Sequence, residues 1–533
     1  MNKVQENLLG LLQEIDDICQ KYDIEYYLGG GTLVGAIRHG GFLPWDDDAD
    51  IHMSRENAYK FIEAVKAEGL NDRAVYMTGL NCDYRYSLGR YLNTSSTCLL
   101  RGMVGQIAPQ GQFVDIFVNY PLPNDEEEKK KCIETFRLYC ELRQKNSSID
   151  SSKLDENFLK RYQRIKRMEK IFGTNLILKF LEHKMYNFSE EDAEEWFLRC
   201  YKPPKIRTPK SLWGKPKYVK FEDTKLLVAE KPEKLLCYEY GPDWYEVPKH
   251  IDRGEHTFII DLEVPYNMYT KEYEKYLNTK KFYSYEVKKK EYWFSLLNDR
   301  NIVNRHIHKL HGKQIVMEIQ QNIERSGIDL MKMLKEGRKK ELAEIFSSYF
   351  DFIGSSSVRY YGLYIDMPDE YLYAALYFSC FDGNYGIARK VLGKRRELIE
   401  RPLSEDLQRL CDICDATDEL LTKLYGDLDY TAAEEIADHW LKQYPDLLYF
   451  MRAKIFLSLQ RENINALQLL EQCNSFLNYY ENDGELLKYK GDLLLRQGKT
   501  QEAEDCYRKA LNTLRNGYCI TAIKEYFKAE KAV

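Results

Sequence analysis

The sequence predicts two kinds of structure in one chain: an α+β domain with a mixed sheet and helices, followed by an all-α domain of helical repeats. Short β-rich runs such as "EYYL", "ADIHM" and "QFVDIFVNYPL" alternate with helical stretches up to about residue 256. Beyond about residue 320, helical signals replace the strand signals. We therefore expect an α+β domain over 1–256, a helical connector over 257–325 and a repeat domain over 326–533.

Composition limits the classes of function. The 533-residue chain has a formal net charge of -6, so no overall basic field draws it onto nucleic acid, and we expect no nucleic-acid partner. The N-terminal segment has the pattern of an amphipathic helix and lacks the apolar core of a signal sequence, and no window reaches 18 consecutive apolar residues. We expect a cytoplasmic protein with at most peripheral contact with the inner face of the cell membrane.

The C-terminal half shows an internal period. Ala433, Ala466 and Ala503 lie 33 and 37 residues apart, close to the 34-residue period of tetratricopeptide repeats. The last unit resembles that repeat in its small and large packing residues, which are Leu487, Gly491, Leu494, Gly498, Ala503, Tyr507 and Ala510. For the units before it, a helical array whose alanines merely allow close packing is an equal alternative. This half is expected to bind a protein partner or to self-associate.

Residues 25–53, "EYYLGGGTLVGAIRHGGFLPWDDDADIHM", combine three consecutive glycines with four aspartates. The glycines lie at a predicted strand-to-helix turn, where backbone amides can approach a ligand closely and the helix N-terminus favours an anion. We expect Gly30, Gly31 and the amide of Thr32 to contact phosphate oxygens, and the Thr32 hydroxyl to cap the helix or to contact the same phosphate. Neither a P-loop nor a dinucleotide-binding GxGxxG is present.

The aspartates predict a cation site. Alternation along "DADIHM" places Asp48 and Asp50 on one face of a strand, where the two carboxylates repel each other unless a cation such as Mg²⁺ lies between them. Asp115 stands within the hydrophobic run "GQFVDIFVNYPLP", where an acid needs a partner if it is buried. An EF-hand loop is excluded because Ile51 stands where glycine is needed. A DDxxD prenyl-diphosphate motif would need a helix where Pro44 predicts a turn.

A glycine-rich turn that opens a helix, then a D-x-D strand, then a strand with one further acid, resembles the nucleotidyltransferase fold of DNA polymerase β-like enzymes. More narrowly, "GGGTLVGAIRHGGFLPWDDDADIHMSRENAYKF" resembles the signature of the LicD family of phosphocholine and related phospho-alcohol transferases, to which fukutin-type proteins also belong. "FVDIFVNYPLP" is similar to the family's next block, and "WGKPKYVKFEDTKLLVAEKPEKLLCYEYGPDWYEVP" with "DRGEH" to its closing segment. Ala49 and His52 depart from the family pattern. His52 is expected to share the face of the aspartates and to be able to touch substrate.

The resemblance implies transfer of phosphocholine, or another phospho-alcohol such as ribitol phosphate, from a CDP-activated donor, CDP-choline above all. The acceptor would be a sugar hydroxyl of a cell-surface glycan or its precursor, as in lipopolysaccharide or teichoic acid biosynthesis, and CMP would leave. Asp48 and Asp50 would hold Mg²⁺, or Mn²⁺ in its place, with Asp115 as a third ligand or as the acceptor of the hydroxyl proton. Arg38 and Arg90 are candidates for pairing with developing negative charge.

Two further features bear on substrates. Residues 199–220 hold eight Lys or Arg and no acid, which indicates a loop that meets an anionic acceptor or the bilayer surface, or a solvated loop. Five aromatic side chains are candidates for cation–π contact with choline: Trp45, Tyr84, Tyr86, Trp213 and Trp244. Two alternatives stay open at this point. One is nucleotidyl transfer from an NTP, and the other is a binding protein whose repeats act beside an inactive N-terminal domain.

Overall fold

The chain folds into two compact units in a computed structural model. The model describes residues 1–77, 88–100, 109–143, 156–185, 190–198, 207–247, 257–268, 305–355, 363–381, 383–461 and 464–530. Unit 1 consists of Met1–Glu239 and Pro248–Ser295, and unit 2 consists of Tyr240–Val247 and Leu296–Val533. The domain limits at residues 256 and 325 stay predictions. Residues 269–304 of the predicted helical connector lie outside the described residues; 305–325 are helical, whereas Thr257–Asp261 form a strand, so the prediction of helix is wrong there.

Unit 1 mixes helices and strands. Its described helices are α1 (Lys3–Lys21), α2 (Gly30–His39), α3 (Arg55–Glu68), α4 (Glu126–Arg143), α5 (Glu156–Phe172), α6 (Thr174–Met185), α7 (Lys210–Trp213) and α8 (Pro232–Tyr240). Its described strands are β1 (Tyr27–Leu28), β2 (Asp50–Ser54), β3 (Arg73–Tyr76), β4 (Gly89–Asn93), β5 (Thr97–Leu100), β6 (Gln112–Leu122), β7 (Glu195–Leu198), β8 (Arg207–Pro209), β9 (Lys217–Phe221), β10 (Thr224–Val228) and β11 (Thr257–Asp261).

Seven strands form one mixed sheet, which confirms the predicted α+β class. The order is β1-β2-β6-β4-β3, and β7 and β8 extend the sheet from the second half of the long strand β6. β2 and β6 are parallel, whereas the other pairs are antiparallel. Asp115 on β6 is in register with Asp50 on β2 and with Arg90 on β4. Residues in register lie side by side, so two of the predicted site acids are neighbours across the sheet.

The strand β2 is buried on both faces. Ile51, His52 and Met53 are each completely inaccessible to solvent. The helix α1 begins with a reciprocal capping box between Asn2 and Gln5, and its apolar stripe packs on the sheet. Because both faces of β2 are covered, alternation along this strand does not separate a solvent face from a core face.

The helices α4, α5 and α6 have a hydrophobic core of their own. Ile177, Leu181 and Met185 lie on one side of α6 and pack with Phe136 of α4 and Phe158 of α5. The end of β6 joins this core through its last residue, Leu122. These three helices therefore form a bundle beside the second half of β6.

Unit 2 is helical in every regular segment that the structure describes, which confirms the predicted all-α region. A helix over 305–326, α9, is followed by α10 (Leu330–Lys335), α11 (Lys339–Ile345), α12 (Ser347–Gly354), α13 (Asp369–Phe381), α14 (Tyr385–Leu398), α15 (Glu405–Thr422), α16 (Tyr430–Gln443), α17 (Leu448–Leu459), α18 (Ala466–Tyr479), α19 (Gly484–Arg496), α20 (Thr500–Ala510) and α21 (Gly517–Glu530). A single π-helical turn, Lys423–Asp427, follows α15.

The alanine period is visible in the helices, with one change of register. Ala433 and Ala503 are each the fourth residue of a helix and are completely buried. Ala466 is the first residue of α18, so the equivalent fourth position holds Leu469. Gly491 lies against Tyr507, because a Cβ at Gly491 would come 2.4 Å from the tyrosine ring. The tetratricopeptide assignment itself stays a prediction.

The short segment Tyr240–Val247 packs inside unit 2. The Trp244 indole Nε1 donates to the Tyr425 carbonyl at 3.2 Å, and the ring of Tyr245 stacks on that of Tyr425 at 3.7 Å. The Glu246 carboxylate pairs with Arg515 at 2.7 Å. Trp244 is therefore a packing residue here, and the expectation that it offers a face to choline is wrong.

No helix within the described ranges is long and apolar enough to cross a lipid bilayer.

Candidate functional site

Four aspartates gather where the loop after α2 enters β2. Asp46, Asp47 and Asp48 are half-buried in the loop, and each can offer an oxygen within 4.8 Å of the others. The prediction that Asp48 lies on the strand with Asp50 is wrong, because β2 begins at Asp50. Burial and the neighbouring Asp48 raise the pKa of Asp46 to about 8. The pKa of Asp50, the first residue of β2, is also raised, by burial first and then by the charges of Asp48 and Asp115. Crowding of like charges at this position favours a bound cation or a bound proton.

The glycine run borders these acids. Gly30 has a φ of +53°, and a Cβ there would lie 2.3 Å from Asp50 Oδ2. A Cβ at Gly31 would lie 2.5 Å from Asp46 Oδ2. The absence of side chains at the first turn of α2 therefore lets two carboxylates approach its backbone closely. The predicted contacts of Gly30 and Gly31 with phosphate stay predictions.

Thr32 joins α2 to the acid-bearing strand. Its side chain is buried, and its Oγ1 accepts a hydrogen bond from the Asp50 backbone N–H at 2.9 Å. The N-cap of α2 is Gly29, so the expectation that Thr32 caps this helix is wrong. The hydroxyl fixes the position of Asp50, and contact of Thr32 with phosphate stays a prediction.

The loop between α2 and β2 is held from two sides. The Gln5 side chain donates from Nε2 to the carbonyls of Leu43 and Asp46, both at 3.0 Å. On the other side, Glu222 in the turn between β9 and β10 accepts from the Phe42 backbone N–H at 2.9 Å. Neither Gln5 nor Glu222 was identified from the sequence, because each acts through a contact that is distant along the chain.

Asp115 has a protein partner. Arg90 Nε donates to Asp115 Oδ1 at 2.7 Å, and the Arg90 guanidinium lies 3.7 Å from the centre of the Phe113 ring. Both charged side chains are buried. The ion pair places Asp115 in a fixed orientation beside Asp50. The sequence did not indicate this pair, because the register of β4 on β6 creates it.

Arg38 lies in the last turn of α2, at the end opposite the glycines. Arg38 is eight positions after Gly30, which corresponds to a rise of about 12 Å along the helix. Its side chain is buried, and Nε donates to His39 Nδ1 at 3.3 Å. A role for Arg38 in balancing charge on a substrate stays a prediction.

His52 differs from its expectation. It is completely buried, its Nδ1 lies 2.8 Å from Asn119 Oδ1, and its ring stacks on Phe117. A Cβ at Gly29 would lie 2.2 Å from this ring, so Gly29 is needed for the packing. Burial lowers the pKa of His52 to about 4. The expected contact of His52 with substrate is therefore wrong, because β2 is covered on both faces.

The candidate aromatic side chains for choline binding differ in their burial. Trp213 is completely buried and packs against Tyr27 and His52, so it offers no face to choline. Tyr84 and Tyr86 lie outside the described residues. Trp45 is half-buried directly before the acid run, with its ring edge-on to His39.

Part of the positive charge of residues 199–220 is neutralised within unit 1. Arg207 forms ion pairs with Glu126 at 2.9 Å and with Glu195 at 2.5 Å. The following segment builds α7 and the β9–β10 hairpin, and residues 199–206 lie outside the described part of the chain. In the described portion, Arg207 thus has structural partners of opposite charge.

Comparison with known proteins agrees with this geometry. Residues 23–141, which include every aspartate of the site, match the family model described as LicD/FKTN/FKRP, nucleotidyltransferase domain. A 55-residue stretch is 51% identical to the lipopolysaccharide cholinephosphotransferase LicD of Haemophilus influenzae, covering 10% of this chain and 21% of that protein. Uncharacterized proteins of Rickettsia typhi and Rickettsia prowazekii are 38% identical over 55 residues and 39% identical over 51, covering 18% and 19% of their lengths. The matches thus span about a fifth of each relative. Residues 23–141 of this chain are a LicD-family nucleotidyltransferase domain.

Proposed function

We propose that unit 1 transfers phosphocholine from CDP-choline to a sugar hydroxyl of a cell-surface glycan or its precursor, with release of CMP. The observation that carries this proposal is the crowding of the Asp46 and Asp50 carboxylates with Asp48 at the glycine-rich start of α2. The similarity to a lipopolysaccharide cholinephosphotransferase supports the choice of phosphocholine and of a glycan acceptor.

The donor set fits a hard divalent cation. Asp46, Asp48 and Asp50 form no ion pair with any residue that the structure describes, and the charges that raise the pKa of Asp46 and of Asp50 are carboxylates. Oxygen ligands of this type suit Mg²⁺, or Mn²⁺ in its place. These three residues would hold the ion, and Asp46 thus joins the pair expected from the sequence. When bound, the ion would neutralise charge on the diphosphate of the donor.

The first turn of α2 would bind the phosphates of the donor. The first N–H groups of a helix have no partner within the helix and favour an anion. Gly30 and Gly31 leave this turn without side chains, and Thr32 keeps it attached to Asp50. The chain would thus position the diphosphate between the backbone of α2 and the acids.

Asp115 would accept the proton of the attacking hydroxyl. Its side chain adjoins Asp50 across the sheet, and Arg90 holds it in one orientation. In the transfer, the sugar oxygen forms a bond to the phosphorus that carries choline, and the bond from this phosphorus to the bridging oxygen of CMP breaks. CMP leaves with that electron pair, and the hydroxyl proton moves to the Asp115 carboxylate.

Trp45 would bind the alcohol. It is the described aromatic candidate that is only half-buried, and it precedes Asp46 in the chain. A quaternary ammonium group is attracted to the face of an indole ring. Trp45 would then favour choline over an uncharged alcohol such as ribitol.

Calorimetric titration of the full chain with CDP-choline, CDP-ribitol, CTP and ATP, each with and without Mg²⁺, tests the proposal without a known acceptor. We expect Mg²⁺-dependent binding of CDP-choline that exceeds binding of the triphosphates by about tenfold or more. The variant Asp50→Asn should lose this binding. Asp351→Asn, which changes an exposed aspartate in unit 2, is the matched control and should retain it.

Other outcomes would redirect or overturn the proposal. Tighter binding of a triphosphate would move the activity to nucleotidyl transfer, which uses the same acids. Equal binding by wild type and Asp50→Asn would separate the acids from the nucleotide. Absence of all nucleotide binding would leave unit 2 as the functional part of the protein.

A further inference from the structure

The turn between α5 and α6 carries an exposed apolar surface. The chain reverses at Gly173, whose φ is +81° and whose N–H donates to the Glu169 carbonyl at 2.9 Å. Four large apolar side chains surround this reversal and are exposed: Ile171 (74%), Phe172 (55%), Leu176 (57%) and Phe180 (43%). We call these four residues the apolar tip.

The apolar tip is not an unfinished part of the bundle core. On α6, Leu176 and Phe180 are one turn apart and share a face, whereas Ile177 and Leu181 occupy the buried face. The core of α4, α5 and α6 is thus complete without the tip. An exposed group of large apolar side chains on a folded unit indicates a surface that binds something.

The two helices that carry the apolar tip are rich in cations. Residues 158–184 hold eight Lys or Arg and two acids, although the whole chain has a net charge of -6. Two of the cations are paired, Arg161 with Glu134 and Lys166 with Glu169. Five form no ion pair with residues in the described ranges: Arg164, Arg167, Lys170, Lys179 and Lys184.

We propose that the apolar tip and these five cations dock unit 1 on an anionic lipid bilayer. Large apolar side chains beside a basic face are the features of helices that lie in the interface of a membrane. The tip would enter the boundary between headgroups and acyl chains, while the Lys and Arg side chains would reach the lipid phosphates. The attraction is local, because the protein as a whole is acidic.

Charge favours a bilayer over a second copy of this chain. A symmetric dimer through the tip would bring the same five cations of both copies together, and like charges at an interface are unfavourable. Four apolar side chains also provide a small area compared with the roughly 1,200 Å² or more that a stable protein interface buries. A bilayer needs no matching acidic side chains, since its headgroups supply the negative charge.

Co-sedimentation of the full chain with vesicles tests the proposal. One set of vesicles contains phosphatidylcholine alone, and the other contains about one third phosphatidylglycerol. We expect at least about tenfold stronger partitioning of wild type to the anionic vesicles, with a decrease when salt is added. Equal partitioning to both sets, or absence of binding to the anionic set, would overturn the proposal.

Separate variants test the apolar tip and the cations. Phe172→Glu with Leu176→Glu should reduce partitioning about tenfold or more, and Arg167→Gln with Lys170→Gln should reduce it severalfold. Leu467→Glu is the matched control, since Leu467 is 67% exposed on α18 of unit 2, and it should bind vesicles like wild type. All these side chains are exposed, so the thermal transitions should match wild type.

Further measurements distinguish membrane docking from a protein interface and from the proposed transfer. Unchanged vesicle binding by the Phe172 and Leu176 variant would exclude the tip as the docking surface. A change in sedimentation velocity of that variant in the absence of lipid, without a loss of vesicle binding, would indicate a protein interface and contradict the proposal. Asp50→Asn should bind vesicles like wild type, so membrane docking and the proposed transfer can fail independently.

Discussion

Both units contain crowded acids that are buried or half-buried, and the two groups differ in the charges that balance them. In unit 2, Glu246, Asp483 and Glu485 lie beside arginines: Arg515 pairs with Glu246 at 2.7 Å, and Arg452 pairs with Glu485 at 3.0 Å and also with Asp483. Burial raises the pKa of Glu246 and of Glu485, and the arginines oppose that rise. In unit 1, burial and the neighbouring carboxylates both raise the pKa of Asp46 and of Asp50.

This difference distinguishes the acids of unit 2, which have a structural role, from the acids of unit 1, which are proposed to bind a cation. Arginines that pair with buried acids offset the cost of burying their charge. The resulting network of ion pairs orders the side chains packed around it. Acids without a compensating side chain destabilise the fold unless a cation or a proton balances their charge. Asp115 is intermediate, because it is paired with Arg90 and also adjoins the uncompensated Asp50.

Removal of the compensating charge in unit 2 should have the largest effect. Arg452→Met leaves Asp483 and Glu485 buried without this cation, and we expect unit 2 to lose about 3–5 kcal/mol of stability. Hydrogen exchange of unit 2 under native conditions would measure the loss. Arg409→Met is the matched control, because the ion pair of Arg409 with Asp406 is exposed, and it should change stability by less than about 1 kcal/mol. A small effect of Arg452→Met would show that the arginine does not compensate these acids.

Removal of an acid in unit 1 should affect activity and leave stability intact. Asp50→Asn should lower turnover of CDP-choline by about 100-fold or more, which corresponds to roughly 2.7 kcal/mol. Its unfolding free energy should stay equal to that of wild type or rise slightly, because one repelling charge has gone. Steady-state kinetics and urea unfolding would measure the two quantities. A variant that is active, or one that unfolds, would contradict the assignment.

Acid should destabilise unit 1 through His52. Its pKa is about 4 in the folded chain and near 6.5 in the unfolded chain. Between these values the unfolded state binds a proton that the folded state does not, so stability decreases as the pH falls from 7 towards 4. At pH 5 the loss is about 2 kcal/mol. Between pH 7 and pH 5, the unfolding free energy of His52→Gln should decrease by about 2 kcal/mol less than that of wild type. Equal slopes would show that His52 titrates normally.

A side chain at the start of α2 should have the smallest effect. Gly31→Ala places a methyl group against the flexible end of Asp46, so we expect about tenfold weaker CDP-choline binding with little change in stability. Gly10→Ala is the matched control, since a Cβ there meets nothing within 4 Å and the substitution lies inside α1. It should stabilise the protein by about 0.5–1 kcal/mol and leave binding unchanged. Wild-type binding by Gly31→Ala would exclude this turn as the phosphate site.

The sequence predicted the parts of the site that are close along the chain. The strand that contains Asp115, β6, coincides with the apolar run that predicts it. The strand β2 begins within the stretch whose alternation predicts a strand. The fold class follows from the same patterns, because the spacing of apolar residues is a local property. The run of aspartates also held the signal for Asp46, which sequence reasoning did not include among the ligands.

Contacts between segments that are distant along the chain account for the site features that the sequence did not predict. The Arg90–Asp115 pair depends on the register of β4 on β6, and the support from Gln5 depends on where α1 packs. His52 was placed on an accessible face because alternation assumes one exposed face, and β2 has none. These properties are set by tertiary packing, which a local pattern does not contain.

The most direct test is a Mn²⁺ titration of the full chain in the presence of CDP-choline, in which the free ion is followed by electron paramagnetic resonance. Wild type should remove Mn²⁺ from solution, and Asp46→Asn and Asp50→Asn should each weaken this binding by about tenfold or more, whereas Glu485→Gln should bind like wild type. Unchanged Mn²⁺ binding by both aspartate variants, or its absence in wild type, would contradict the claim that the uncompensated acids of unit 1 hold a metal ion.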